Sequence, residues 1–238
     1  GKSYYLSLLI HELKRSLFEK FSLGFGDQDP EYNIELNAVT SRLMSASTAK
    51  EGMIDKTLLV GGVYRSVQRG GQDVDLPQPY IFNCSRANVE GSEKCIIFYD
   101  NAGEHFLPQN STAQDFHILH LAKASSLFFL FDPVSNVEFK RRLSGSSDAQ
   151  LNLDHYQQDS QDVILSQMSV KIKRTLGLPF ASKIKVPLAV MINKSDLWMK
   201  LMEERGKLVD PIVDGHLDLS VLDRNSALVR SFMADLCP

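Results

Sequence analysis

"IFYDNAGEHF", residues 97–106, carries an apolar strand-like run into Asp100, with Gly103 and Glu104 three and four residues further on. A strand that only filled a core would end in ordinary turn residues. An aspartate followed by this closely spaced glycine and glutamate puts polar chemistry at the strand's carboxyl edge, where open α/β sheets bind ligands.

The surrounding segments have the pattern of such a sheet. Upstream, "PYIFNCSR" and "KCIIFYD" are joined by "ANVEGSE" and read as an antiparallel hairpin. Downstream, "TAQDFHILHLAKA" reads as a helix, "SSLFFLFDP" as a buried strand, "QDVILSQMSVKIKRTLGL" as a helix and "KVPLAVMIN" as another buried strand. Near the start, Leu6, Leu9, Ile10, Leu13, Leu17 and Phe21 recur at helical spacing, with His11, Glu12, Lys14, Arg15 and Glu19 largely on the other side. That amphipathic helix opens at residue 2 or 3, and a second runs from about Pro30 to Met44, with Asp29 as cap and Pro30 at the first helical position. The expected class is α/β, a mainly parallel sheet with an antiparallel edge hairpin and helices on both faces.

Composition narrows the partners. With 238 residues, 43% hydrophobic and 23% charged, the chain can bury one full core, and no composition shift divides it. A balance of 29 acidic against 26 basic residues leaves no electrostatic footprint for nucleic acid. Cys84, Cys95 and Cys237 lack CxxC spacing, which fits a reduced cytoplasmic setting. "SLFFLF" and "VPLAVMI" are too short to span a bilayer, and no charged-then-apolar leader opens the sequence.

Two short motifs supply what the edge at Asp100 lacks. "GKS" stands directly before the first helix, where backbone N–H groups and the helix dipole favour a phosphate. There Lys2 reaches outer phosphate oxygens as a point charge and the Ser3 hydroxyl can ligate Mg²⁺, so Gly1, Lys2 and Ser3 are the candidate nucleotide-binding residues. Asp100 can hold that ion through water, and the Gly103 N–H can meet a terminal phosphate. "NKSD" ends the last buried strand. The two carboxylate oxygens of Asp196 match the paired donors on guanine's Watson–Crick edge, whereas adenine presents an acceptor there. Asn193 would brace this loop, and the stem of Lys194 would lie along the ring face. A DxxG pattern alone arises by chance in a chain of this length; NKxD at the end of a buried strand rarely does.

With "GKS", "DNAGE" and "NKSD" in this order, the chain resembles the translation-factor-related class of P-loop GTPases across nearly its whole length. The insertion between first helix and hairpin, and the "YDNAGE" form, are similar to the bacterial double-GTPase group. The resemblance implies a three-layer P-loop NTPase fold (a Ras-like G domain) over 1–238, with a partly helical insertion at about 23–78 and a polar one at about 137–161. It implies a switch that binds GTP and GDP with Mg²⁺ and hydrolyses GTP slowly. Its implied partners are a protein effector or regulator, or a second GTPase domain in a longer chain. The family's first strand and the start of its phosphate loop would precede Gly1, and its last strand would follow Pro238, so a fragment of a longer protein is expected.

Departures from the family matter as well. Glu104 stands where many members place a water-orienting glutamine, and His105 follows it. These two are the candidates for the hydrolytic step, and a hydrolysis-deficient GTP-binding scaffold is the alternative function. An ATP-dependent P-loop enzyme in which "NKSD" is accidental is the third. Thr57 is the first choice for the switch threonine, a further Mg²⁺ ligand, and Thr48 the second. Arg42, Arg65 and Arg69 are equal candidates for an arginine acting in cis on the phosphates. His117 and His120 read as a solvated helix face rather than a metal pair, and Trp198 as an anchor for the helix after "NKSD". The serine- and glutamine-rich stretch 144–161 reads as a surface insertion.

Overall fold

The apolar stripe of the first segment is realised, in a computed structural model of the chain, as helix α1 over Lys2–Phe21. The structure describes residues 2–48, 51, 64–69, 71–101, 106, 118–143, 161–203 and 206–237. Gly1, Thr57, Gly103, Glu104, His105 and His117, and the stretch 144–160, lie outside the described residues. Two compact units are present, Gly1–His105 with Asp214–His216, and Phe106–Val213 with Leu217–Pro238.

In the first unit α1 stops at Ser22, whose φ of 55° turns the chain out of the helix while its N–H donates to the Phe18 carbonyl at 3.0 Å. Strand β1 follows at Leu23–Asp27. Helix α2, Pro30–Ser45, is started by Asp29, whose carboxylate accepts from the Glu31 N–H at 3.1 Å, and by Pro30, whose missing N–H is not needed there. Strands β2 (Tyr64–Arg69) and β3 (Gln72–Pro77) form an antiparallel hairpin. Strands β4 (Pro79–Arg86) and β5 (Lys94–Tyr99) form another, which β1 joins to give an antiparallel sheet in the order β1-β4-β5.

Three of these strands, β1, β2 and β3, lie with α2 in the partly helical insertion expected over about 23–78. Gly24 and Gly26 deprive β1 of strand-forming side chains, and "YRSVQR" and "QDVDLP" carry little apolar alternation. β1 is held instead by its pairing to β4, with Phe25 opposite Cys84. Its Phe25 ring stacks on Phe82 at 5.0 Å, and Phe98 meets Phe82 edge-on at 5.9 Å. Around the fully buried Phe82 lie Ile10, Leu36 and Tyr80. Truncating a ring in such a position costs about 3–5 kcal/mol.

A polar clamp ties α2 to this sheet. Asn33 is 0% exposed. Its Nδ2 donates to Asp27 Oδ1 at 2.7 Å and to the Ile81 carbonyl at 2.8 Å, and its Oδ1 accepts from the Ile81 N–H at 2.9 Å. Lys14, expected on the solvent side of α1, turns inward, with Nζ 2.7 Å from Asp27 Oδ2 and 5.6 Å from the centre of the Phe82 ring. Burial works against the Asp27 charge, yet the bonds from Lys14 and Asn33 hold its carboxyl below the ordinary range.

The second unit contains helix α3 (Leu119–Ala122), strand β6 (Leu127–Phe131), a 3-10 turn at Pro133–Ser135 and helix α4 (Val137–Arg142). It continues with helix α5 (Gln161–Thr175), strand β7 (Leu188–Ile192), helix α6 (Ser195–Glu203) and helix α7 (Leu219–Leu236). β6 and β7 pair in parallel, Leu127 opposite Leu188 and Phe131 opposite Ile192, and the long connection between them is what parallel strands require. One apolar cluster gathers Val134, Phe139, Trp198, Met202 and Phe232; another gathers Ile118, Leu121, Leu127 and Ile172.

Among the described strands parallel pairing is confined to β6 and β7, and the strands form several small sheets rather than one mainly parallel sheet. The unbroken apolar runs of β6 and β7 predicted burial on both faces, yet Phe128, Leu188 and Val190 are exposed. A two-stranded sheet is covered only where its neighbouring helices reach.

Candidate functional site

In the first unit, Lys2 and Ser3 open α1, and Asp100 directly follows β5. The Ser3 hydroxyl donates to Asp100 Oδ2 at 2.7 Å, joining two residues 97 apart in sequence. Asp100 is 7% exposed. Burial pushes its carboxyl above the usual carboxylate range, and the Ser3 hydrogen bond and the positive charge of Lys2 offset this only in part. The Tyr80 hydroxyl is pushed up in turn, by its own burial first and then by the Asp100 charge.

Ser3 and Asp100 form a hard oxygen donor pair with an incompletely compensated negative charge. Such a pair suits Mg²⁺, which takes one or two protein oxygens and fills its octahedron with water and phosphate. No cluster of three or more His, Cys, Asp or Glu side chains that could hold a metal occurs among the described residues.

In the second unit, β7 ends at Ile192 and the ladder runs one residue further, the Asn193 N–H donating to the Phe131 carbonyl at 2.8 Å. Lys194 then takes a φ of 54°, a left-handed conformation uncommon for a residue with a Cβ. The turn is fixed at several points. The Leu197 N–H donates to the Lys194 carbonyl at 3.0 Å, and Trp198 Nε1–H donates to the Asn193 carbonyl at 2.9 Å. Trp198 is buried against Phe232, so the lone tryptophan anchors the loop as well as α6. Asp196, in the first turn of α6, is exposed.

Asp132, which follows β6, makes an ion pair that sequence reasoning missed. Lys194 Nζ lies 3.0 Å from Asp132 Oδ2, with the two side chains only 14% and 17% exposed. Asp132 Oδ1 accepts from the Val134 N–H at 3.1 Å. Gln161, the first residue of α5, closes on the Asp132 backbone from both sides: its Oε1 accepts from the N–H and its Nε2 donates to the carbonyl, each at 2.8 Å. Gln161 Nε2 also contacts Ser135 Oγ. A signal was present, since "SLFFLFD" ends an apolar strand in aspartate just as "IIFYD" does.

No protein-family model, curated protein or solved structure matches the chain.

The remaining candidates divide by placement. Gly1, Gly103, Glu104, His105 and Thr57 lie outside the described residues. Thr48 is exposed and its Oγ1 accepts from the Glu51 N–H at 3.3 Å, while Arg42 Nε donates to the Glu51 carbonyl at 2.8 Å. Lys2, Ser3 and Asp100 belong to the first unit, and Asn193, Lys194 and Asp196 to the second. No helix among the described residues is long and apolar enough to cross a membrane.

Proposed function

We propose that the chain is a guanine-nucleotide switch of Ras-like P-loop design that binds GTP and GDP with Mg²⁺ and hydrolyses GTP slowly. The observation that carries this reading is the 2.7 Å hydrogen bond from Ser3 to Asp100. It unites a hydroxyl at a helix start with a carboxylate at a strand end, the two groups to which the motifs assign the ion. Support at the base end comes from the braced turn at Asn193 and Lys194 and the exposure of Asp196.

In this reading Ser3 and Asp100 would hold the ion, while Lys2 would reach the outer phosphate oxygens. Mg²⁺ supplies neutralisation of the charge on the β- and γ-phosphates. Asp196 accepts from the two donors on guanine's Watson–Crick edge, and the Lys194 stem lies along the ring. Gly103 is assigned to the terminal phosphate, and Thr57, as the switch threonine, to the ion. Glu104 is either turned away from it or acts as a base for water, because a carboxylate adds negative charge where the transition state already carries it. Turnover then depends on a partner: a protein regulator, or a second GTPase domain. A cytoplasmic setting is proposed with it.

Fluorescent GTP and ATP titrations of the full-length protein, with and without Mg²⁺, test the reading. Guanine nucleotide should bind in preference to adenine, and more tightly with the ion. Equal binding of ATP, or no binding of either, refutes it. Single-turnover hydrolysis then separates the roles of Glu104: Glu104→Ala should leave the rate nearly unchanged if the side chain points away, and slow it by roughly a hundredfold or more if it is the base.

A further inference from the structure

We infer that Asp132 is a positioning residue for guanine nucleotide, acting on the base through Lys194. The inference rests on the guanine reading above and adds a residue that none of the sequence motifs contains.

Lys194 is an awkward residue to hold still. Its backbone is in the left-handed region, which is strained for a residue with a Cβ. Its long side chain also loses rotamer freedom when ordered. A stem that must lie flat against a purine ring is effective only if that ordering is complete before the nucleotide arrives.

Asp132 provides the ordering. Its Oδ2 fixes the far end of the lysine at 3.0 Å, in surroundings that leave both side chains mostly shielded from water. The near end is fixed by the bonds at Asn193 and Leu197. With both ends held, the four-carbon stem between them has little freedom left.

Asp132 cannot drift to follow the lysine, because its own backbone is gripped at N–H and carbonyl by Gln161 and its other oxygen caps Val134. The order of support therefore runs from Gln161 to Asp132 to Lys194. An aspartate placed only to cap the turn at Pro133 would use one oxygen; here the second oxygen is committed to the lysine of "NKSD".

Asp132→Asn tests this cleanly. Asparagine is as good a cap as aspartate, so the turn survives, whereas the charge that pins Lys194 is gone. Affinity and dissociation rate for fluorescent GDP with Mg²⁺ are measured on the full-length wild type, Asp132→Asn, Lys194→Ala and the double variant. Asp132→Asn should weaken GDP by about tenfold, mainly through faster dissociation. Lys194→Ala should weaken it at least as much. The double variant should be no weaker than Lys194→Ala, since a residue acting through Lys194 has nothing left to act on. The melting temperature of nucleotide-free Asp132→Asn should stay within a few degrees of wild type, which a merely structural role would not allow. A double variant whose loss is the product of the two single losses, or an Asp132→Asn variant that binds GDP as wild type does, overturns the inference alone. A wild type that binds no GDP overturns both the inference and the guanine reading.

Discussion

Separate removal of the two partners in the Ser3–Asp100 hydrogen bond should move stability in opposite directions. Asp100 is buried, and its pKa is raised by that burial despite the Ser3 bond and the Lys2 charge. Because the folded-state pKa lies above the ordinary value of 3.8, the folded protein holds this proton more tightly than the unfolded chain does. Its contribution is therefore fully present below that ordinary value and is lost as pH rises through the folded value. At neutral pH the carboxylate is a net cost to the nucleotide-free protein. Asp100→Asn removes the charge, keeps an oxygen for Ser3 and should stabilise by about 1 kcal/mol, a gain of the size found when a functional site is relieved of strain. Ser3→Ala deprives a buried carboxylate of its donor and should cost about 1.5–3 kcal/mol, or roughly 3–12 °C in melting temperature. In the Asp100→Asn background the same serine change should cost about 1 kcal/mol less, because the bond there is between neutral groups. Thermal melts of nucleotide-free, chelator-treated protein, followed by circular dichroism at about pH 7 and again toward the carboxylate range, read all three effects. The advantage of Asp100→Asn should shrink as pH falls. An Asp100→Asn protein that melts below wild type at neutral pH, or a Ser3→Ala loss equal in both backgrounds, would refute the reasoning.

Two further predictions concern the frame that carries Asp100. Asn33→Ala leaves the Ile81 N–H without its side-chain acceptor and removes one donor each from the Ile81 carbonyl and Asp27; the expected loss is about 2–4 kcal/mol, read by urea denaturation, and a loss below about 1 kcal/mol would dissolve the clamp. Gly215 has a φ of +74° and a Cβ built on it would lie 2.8 Å from the Lys20 carbonyl oxygen, whereas Gly91, at φ +72°, has nothing within 4 Å. Gly91→Ala should therefore cost only the conformational strain of about 1–2 kcal/mol and Gly215→Ala clearly more, so equal melting temperatures for the two variants would contradict the close approach.

The parts of the fold that can be read in the sequence are those whose local signals agree with their tertiary setting. The stripe from Leu6 to Phe21, the Asp29–Pro30 cap, the turn between β4 and β5, and the apolar runs of β6 and β7 carry their structure in their own residues. β1 does not: with two glycines in five residues it is a strand because β4 lies beside it. Lys14 reads as solvated on a helical wheel and turns inward because Asp27, thirteen residues on, offers a carboxylate next to an aromatic ring. At the site, Ser3 and Asp100 could be paired in advance because each stands at an element end with a recognisable motif. The strand-ending Asp132 carries the same kind of signal, but its pairing with Lys194 and Gln161 could not be read, because no spacing encodes a contact between strand end, loop and helix start.

If the loop after β7 reads guanine, as proposed, exchanging Asp196, the carboxylate assigned to that reading, tests it most directly. Asp196→Asn gives the loop a donor where it had only acceptors, so the variant should lose GDP and gain xanthosine diphosphate, whose base carries an oxygen in place of guanine's amino group. Side-by-side titrations of wild type and Asp196→Asn with fluorescent GDP and xanthosine diphosphate, both with Mg²⁺, should show the preference inverted. A variant that binds GDP as tightly as wild type and gains nothing for xanthosine diphosphate would contradict the account.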